Sequence, residues 1–413
     1  MRRVVITGMG AVTSSGIGVD PLWENVKAGK HAFFPIKSFD TSDFEIKYAA
    51  EIQNWTPEEQ GIPKKEARRQ DLFTQYASVA ANMAIKDAGG FADGLDPFKI
   101  GVIVASGIGG FNTIEEEYAK FLEKGSGRVS VFFIPMMIAN MAGGRIALDH
   151  GYKGDNFCPV SACASSANAI GEAFRKIKYG SLDAAVTGGS EAAITKFALS
   201  GFHNMGALAK GCDINRLSIP FDKERTGFVM GDGAGIVILE DMERAKARGA
   251  HIYAEITGYG STDDAHHITG PDPSAEASAK AMAFAVAEAG IKPEDVDYIN
   301  AHGTSTELND KIETAAIKVV FGEHARKLAV SSTKSVTGHL LGAAGAIEAV
   351  ICAKALEDGI LPPTANYKIP DGACDLDYIT DGMRKSGAAN AISNSLGFGG
   401  HNATLAFQKY KGA

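Results

Sequence analysis

The sequence predicts an α/β protein built around a largely parallel, buried sheet and assembled from a duplicated unit. Three observations carry this. Short apolar runs alternate with longer segments of helical spacing, the pattern of strands joined by crossover helices. The chain holds 48 glycines in 413 residues, well above the usual ~7% share, and they fall beside the predicted strands rather than in one tract. The order of elements in the first part of the chain is replayed in the second.

In chain order, Val4–Thr7 reads as a buried strand that ends at Gly8. Phe73–Ala88 has helical spacing and stops at Gly89-Gly90. Ile100–Ala105 is a β-branched strand running into Ser106-Gly107. Cys163–Tyr179 is a helix stopped by Gly180, and Ala184–Thr187 is a strand ending in Gly188-Gly189. The second part offers an Ala-rich helix over Ala275–Ala289, a strand over Val296–Ala301, and a strand over Leu328–Ser332. A helix over Gly342–Glu357 and strands over Ala391–Ser395 and Ala403–Phe407 complete it.

The duplication is legible in two places. Lys86-Asp87-Ala88-Gly89 followed by the strand into Ala105-Ser106-Gly107 parallels Ala287-Glu288-Ala289-Gly290 followed by the strand into Ala301-His302-Gly303. The helix from Cys163 to Gly180 parallels that from Gly342 to Gly359. The expected division is residues 1–250 and 251–413. The segment 111–145 breaks the rhythm and is expected to cap a site or line a partner interface.

Bulk properties exclude several classes. A net charge of −8 argues against a nucleic-acid surface. No apolar stretch approaches the ~18 residues of a membrane span. The apolar run after Arg2-Arg3 breaks at Gly8, too soon for a signal-peptide core. Five cysteines without a Cys-x-x-Cys pair or zinc spacing predict reduced thiols in a cytoplasmic protein.

The chemistry concentrates in three residues. A cysteine in an Ala/Ser-rich helix is by default an inert small hydrophobe. Cys163 differs because it opens its helix, where the dipole favours thiolate and the cysteine's own N–H is free to donate. The flanking Ala162 and Ala164 leave room for a substrate. His302 and His339 each follow a predicted strand and neighbour a glycine, so both are expected at a sheet edge as neutral donors to an enolate oxygen. Lys334 and Glu348 read either as a pair orienting an imidazole or as an ordinary surface ion pair. The glycines around Phe398 allow its N–H to reach an oxyanion, with the ring as a gate; the plain alternative is a turn. Gly8-Met9-Gly10 invites a dinucleotide-binding reading but lacks the third glycine. Lys64, Lys65, Arg68 and Arg69 concentrate positive charge and are a candidate dock for an acidic partner.

Four segments together resemble the β-ketoacyl-acyl-carrier-protein synthases, and among them the bacterial elongating type II enzymes of fatty-acid synthesis. They are Ser161–Ser166, Asn300–Thr306, Ser332–His339 and Ser393–Asn402. The likeness spans essentially the whole chain. It implies a thiolase-like fold, two βαβαβαββ halves in five αβαβα layers, and a homodimer. It implies that Cys163 takes the acyl chain from acyl carrier protein as a thioester. His302 and His339 then promote decarboxylation of the malonyl-carrier thioester, and the Cys163 and Phe398 N–H groups form the oxyanion hole. Lys334 and Glu348 match the supporting pair, Ile108 and Phe202 the acyl pocket, and Thr304 and Thr306 the phosphopantetheine contacts. Lys65, Arg68 and Arg69 match the carrier-docking face, and a monovalent cation is implied near Asn300. No cofactor is implied beyond the phosphopantetheine of the carrier. The chain departs from the pattern at Gly206, Leu396 and His401, where some relatives have a basic residue, Phe and Thr.

Rival readings are set aside on single residues. Biosynthetic thiolases need a second catalytic cysteine. Priming synthases carry Asn where this chain has His339. A polyketide ketosynthase is the nearest alternative, and a non-catalytic chain-length partner lacks the nucleophile that Cys163 supplies.

Overall fold

The computed structural model describes residues 1–412. Ten strands lie in one continuous order, and a short eleventh, Gly16–Ile17, pairs with the first. They are β1 (Val4–Thr13), β2 (Ile100–Ala105), β3 (Asn156–Phe157), β4 (Ala184–Glu191) and β5 (Gly233–Asp241). The second set is β6 (Ala254–Asp263), β7 (Tyr298–Asn300), β8 (Ala329–Ser331), β9 (Asn390–Gly397) and β10 (His401–Lys409). The order is β8-β7-β9-β10-β6-β1-β5-β4-β2-β3. Read outward from the β6/β1 junction, each set repeats the other strand for strand, which is the duplication expected from the sequence.

Helices complete the layers. α1 (Leu72–Ala88) covers β1, β5 and β4, and α3 (Glu276–Glu288) covers β6 and β10 in the equivalent way. α2 (Ser165–Lys178) and α5 (Ala344–Asp358) touch each other and strands of both sets, so they form the middle layer. α4 (Glu307–Phe321) packs on α3. The largest apolar cluster runs from Val4 and Ile170 to Val350 and Leu405, so both sets share one core.

Pairing differs from the expectation. β2, β3 and β4 are parallel, as are β7, β8 and β9, but β4–β5–β1–β6–β10–β9 is antiparallel throughout. The reason is burial. β1 and β5 are covered on both faces, so they lack the polar alternation that marks most antiparallel strands. Two-sided burial, not parallel pairing, produced the continuous apolar runs.

Several elements run past their glycines. β1 continues through Gly8-Met9-Gly10 with a bulge at Ile6/Gly8. A Cβ on Gly8 would lie 2.2 Å from the Ala84 carbonyl oxygen, and one on Gly10 would lie 2.0 Å from that of Ala80. These glycines let α1 lie directly on the strand, which disposes of the dinucleotide loop. Gly258 and Gly260 do the same under α3, at 2.1 Å from Ala285 O and 1.9 Å from Ala281 O.

The segment that breaks the rhythm forms helices Phe111–Lys124, Phe133–Met137 and Met141–His150. It leaves Leu122, Val131 and Leu148 exposed. No helix among the described residues is long and apolar enough to cross a membrane.

Candidate active site

Cys163 sits in a single 3₁₀ turn, Ala162–Ala164, and α2 begins two residues later. The turn is sharp: Ala162 has φ +50°, a region alanine rarely enters. Such strain survives only where the surroundings hold it. Here the Gly397 backbone closes over the turn, since a Cβ there would lie 2.8 Å from Ser161 O and 3.1 Å from Cys163 N. Asn168 Nδ2 donates to Ser161 Oγ at 2.6 Å, and Tyr259 Oη donates to Asn168 Oδ1 at 2.7 Å.

His302 follows β7, and its backbone is fixed by an acid that sequence reasoning missed. The N–H groups of His302 and Gly303 each donate to the Glu313 carboxylate at 2.8 Å. Glu313 also accepts from Asn394 Nδ2 at 3.1 Å. The available signal was an acid on the apolar stripe of α4, in register with Ala316 and Ile317. His339 is clamped by the 229–231 segment: its N–H donates to Val229 O at 2.8 Å and its carbonyl accepts from Gly231 N at 2.9 Å.

The three predicted residues converge. His339 Nε2 lies 3.1 Å from Cys163 Sγ. The two imidazoles meet edge to face, with centroids 5.3 Å apart. Sγ and one ring nitrogen from each histidine all lie within 4.8 Å of one another. A Cys-His-His set of that size is also one that zinc sites use. The Lys334 cation, close enough to lower both imidazole pKa values, opposes a dication there.

Burial governs the electrostatics. Both imidazoles are held well below the usual histidine value, first by loss of solvation and then by Lys334. They are therefore neutral. Neither Nδ1 has a hydrogen-bond partner among the described residues. A buried lone pair is tolerated more readily than a buried unpaired N–H, which assigns the protons to Nε2, facing the cysteine.

The thiolate expected at Cys163 is corrected. Burial pushes the thiol up to about 12, against the opposing pull of Lys334 and a hydrogen bond from the Phe398 N–H. Removing the thiolate from water costs more than the helix end and those two groups return. The resting nucleophile is a thiol.

Lys334 and Glu348 form a direct ion pair, with both side chains at most 3% exposed. The surface-pair alternative is thereby excluded. Burial raises Glu348 to about 7, with Lys334 pulling the other way.

Most of the other predicted site residues outside the basic cluster surround one cavity of about 490 Å³. Cys163, His302, His339, Phe398, Phe202 and both Thr304 and Thr306 line it. The two threonine hydroxyls are hydrogen bonded at 2.9 Å. Ile108 is not among the residues that line the cavity; like Phe202, it packs against the apolar cluster that includes Leu341. Gly206 and Leu396 also face the cavity. Gly397–Gly400 is the turn of the β9–β10 hairpin, and its backbone brings the Phe398 N–H to hydrogen-bond distance of the Cys163 sulfur. Lys64, Lys65, Arg68 and Arg69 gather around Phe132 in a separate concavity, with Arg69 stacked 4.8 Å over the ring.

Comparison with known proteins agrees with this geometry. A family model described as the N-terminal domain of beta-ketoacyl synthase matches residues 1–245, and one described as its C-terminal domain matches residues 253–368. The chain is 49% identical over 410 residues to the 3-oxoacyl-[acyl-carrier-protein] synthase 2 of Staphylococcus aureus strain N315, covering 99% of each. It is 48% identical over 411 residues to the Synechocystis sp. protein of the same name, again covering 99% of each. Among solved structures it superposes with a TM-score of 0.91, at 33% identity, on a type II polyketide ketosynthase in complex with its acyl-carrier protein. That match covers 99% of this chain and all of the other. The chain belongs to the β-ketoacyl synthase family.

Proposed function

We propose that this chain is an elongating condensing enzyme of fatty-acid synthesis that joins an acyl chain to a malonyl-derived unit, both carried on acyl carrier protein. The observation that carries the reading is the approach of Cys163 Sγ and the two neutral imidazoles within one cavity. The near-half identity to the 3-oxoacyl synthases supports fatty-acid over polyketide substrates, since the polyketide relative is more distant.

Cys163 Sγ attacks the acyl thioester, and the phosphopantetheine thiol leaves with the proton. The Nε2–H of His339 donates to Sγ as the S–H bond breaks, and the charge then passes to the thioester oxygen. The Cys163 and Phe398 N–H groups face the thioester oxygen. In the second half-reaction the malonyl carboxylate leaves as CO₂. The electron pair becomes an enolate whose oxygen accepts from the Nε2–H groups of His302 and His339. The enolate carbon attacks the acyl carbonyl, expelling Cys163 as a thiolate that takes one proton from solvent. Neutral donors suit this step because they stabilise new negative charge without holding the carboxylate as an ion pair.

Lys334 adds its charge to the burial that keeps the imidazoles neutral, and Glu348 pairs with Lys334. Thr304 and Thr306 line the channel for the phosphopantetheine arm, while Phe202, backed by Ile108, bounds the acyl chain. The substrates bring the phosphopantetheine, and no cofactor of the chain's own enters the reaction. Lys64, Lys65, Arg68 and Arg69 form the carrier dock; none of Lys64, Lys65 and Arg68 is ion-paired among the described residues. Asn300 Oδ1, Glu348 Oε2 and Ser395 Oγ, on packed neighbouring elements, are buried oxygens without a partner among the described residues. Such a set suits a monovalent cation near Asn300. The open edge at β3 and the exposed Leu122, Val131 and Leu148 suit a homodimer built on that side. Five free cysteines suit a reducing cytoplasm.

The test is intact-protein mass spectrometry after incubation with acyl-carrier protein. One acyl adduct that disappears in Cys163→Ser is expected, and no adduct on the parent would end the proposal.

A further inference from the structure

Glu191, at the end of β4, is fully buried and has no part in the chemistry above. Its carboxylate is saturated with donors. Oε1 accepts from Ser106 Oγ at 2.9 Å and the Ile108 N–H at 3.2 Å. Oε2 accepts from the Gly107 N–H at 2.8 Å and the Gly342 N–H at 2.9 Å. Three donors lie in the loop after β2, in the first repeat. The fourth lies in the turn that enters α5, in the second repeat.

The two backbones are nearly in contact around this carboxylate. A Cβ on Gly342 would lie 2.2 Å from Gly107 N and 2.7 Å from Glu191 Oε2, and one on Gly107 would lie 2.8 Å from the same oxygen. The turn it holds is strained: Leu341 has φ +48°, which a branched apolar residue avoids. Leu341 lines the cavity, His339 precedes it by two residues, and Ile108 and Phe202 pack against the apolar cluster that includes Leu341.

We propose that Glu191 is a positioning residue, a carboxylate clamp that sets the Ser106–Ile108 loop, behind the acyl pocket, against the His339–Leu341 turn. It thereby couples the chain length accepted to the reach of the His339 ring toward Cys163. The inference rests on the condensing reading of the site.

Glu191→Gln keeps the side-chain shape but turns one acceptor into a donor. In either orientation the amide then faces at least one N–H that it cannot satisfy. In the full-length protein, kcat for condensation is expected to fall about 10- to 100-fold with the malonyl-carrier KM unchanged. The ranking of acyl-carrier substrates of increasing length is expected to change. Ser106→Ala, which removes one donor, should shift that ranking in the same direction by less. A parental ranking and kcat in folded Glu191→Gln would overturn the proposal, as would an equal loss at every chain length, which marks a merely structural role. If Glu191→Gln does not fold, an unchanged ranking in Ser106→Ala overturns it instead. Failure of the parent itself to condense these substrates would count against the condensing reading alone.

Discussion

His339 Nε2 reaches Cys163 Sγ at 3.1 Å across 176 residues of sequence. The contact depends on two turns from different repeats, each with one residue forced to positive φ: Ala162 at +50° beside the sulfur, and Leu341 at +48° just after the imidazole. Strain at both sides of a contact is a sign of placement for chemistry rather than for stability.

His302→Ala and His339→Ala should each slow malonyl decarboxylation by about 10²–10³-fold, the usual cost of one lost oxyanion donor. Acylation of Cys163 should change far less. Carbon dioxide release and the mass of the acyl-enzyme, followed on the same samples, separate the two steps. Full decarboxylation in both variants would remove the histidines from their assigned role.

Lys334→Met leaves the buried Glu348 without its partner, which typically costs about 3–5 kcal/mol. Removing the cation also lets both imidazole pKa values rise, because the Lys334 charge repels their protonated forms in addition to the larger effect of burial. Urea unfolding should show the first effect. The acid limb of the decarboxylation rate should move to higher pH, and an unmoved limb contradicts the electrostatic role.

The neutral histidines make an acid-labile contribution to stability. Their native pKa values lie well below the unfolded value near 6.5, so below that pH the unfolded chain binds protons that the native chain refuses. Stability from this source is complete above about pH 6.5 and falls as pH drops, by roughly 1.4 kcal/mol per unit per imidazole. Glu191, raised to about 7, and Asp232, raised to about 8, act in the opposite sense, because the native state then binds the extra proton. A His302→Asn/His339→Asn double variant isolates the imidazoles. Between pH 6.5 and 5.5 the parent should lose roughly 2–3 kcal/mol relative to it in urea unfolding.

Gly8→Ala and Gly258→Ala place a methyl group 2.2 Å and 2.1 Å from helix carbonyl oxygens that cannot move independently of α1 and α3. Each should destabilise the fold by about 1–3 kcal/mol or more. Equal denaturant midpoints for parent and variants would show that the helices lift away at little cost.

Lys65→Glu and Arg68→Glu should raise KM for carrier-bound substrates about tenfold with kcat unchanged, and should flatten the salt dependence of kcat/KM. Short acyl thioesters without a carrier should react as with the parent. A parental KM for the carrier substrates would move the dock elsewhere.

Much was legible in one dimension. The helices Leu72–Ala88 and Glu276–Glu288 follow the predicted spans within a residue or two, because helix periodicity and glycine stops are local. Cys163, His302 and His339 stood out for the same reason: each is a reactive side chain at the end of a predicted element, beside small residues. Pairing was less legible. Strands covered on both faces carry no alternation, so the antiparallel centre of the sheet left no mark in the sequence.

The sequence by itself determined the repeat, the kinds of element and the identity of the reactive groups, all of which rest on periodicity and residue chemistry. Only the tertiary structure decided what those groups are at rest. Complete burial turned an expected thiolate into a thiol, decided between the orienting and the surface reading of the Lys334–Glu348 pair, and brought Glu313 and Glu191 to the backbones they hold. Protonation state and hydrogen-bond partner depend on solvent exclusion and on neighbours remote in sequence, and neither exists until the two repeats close around a common core.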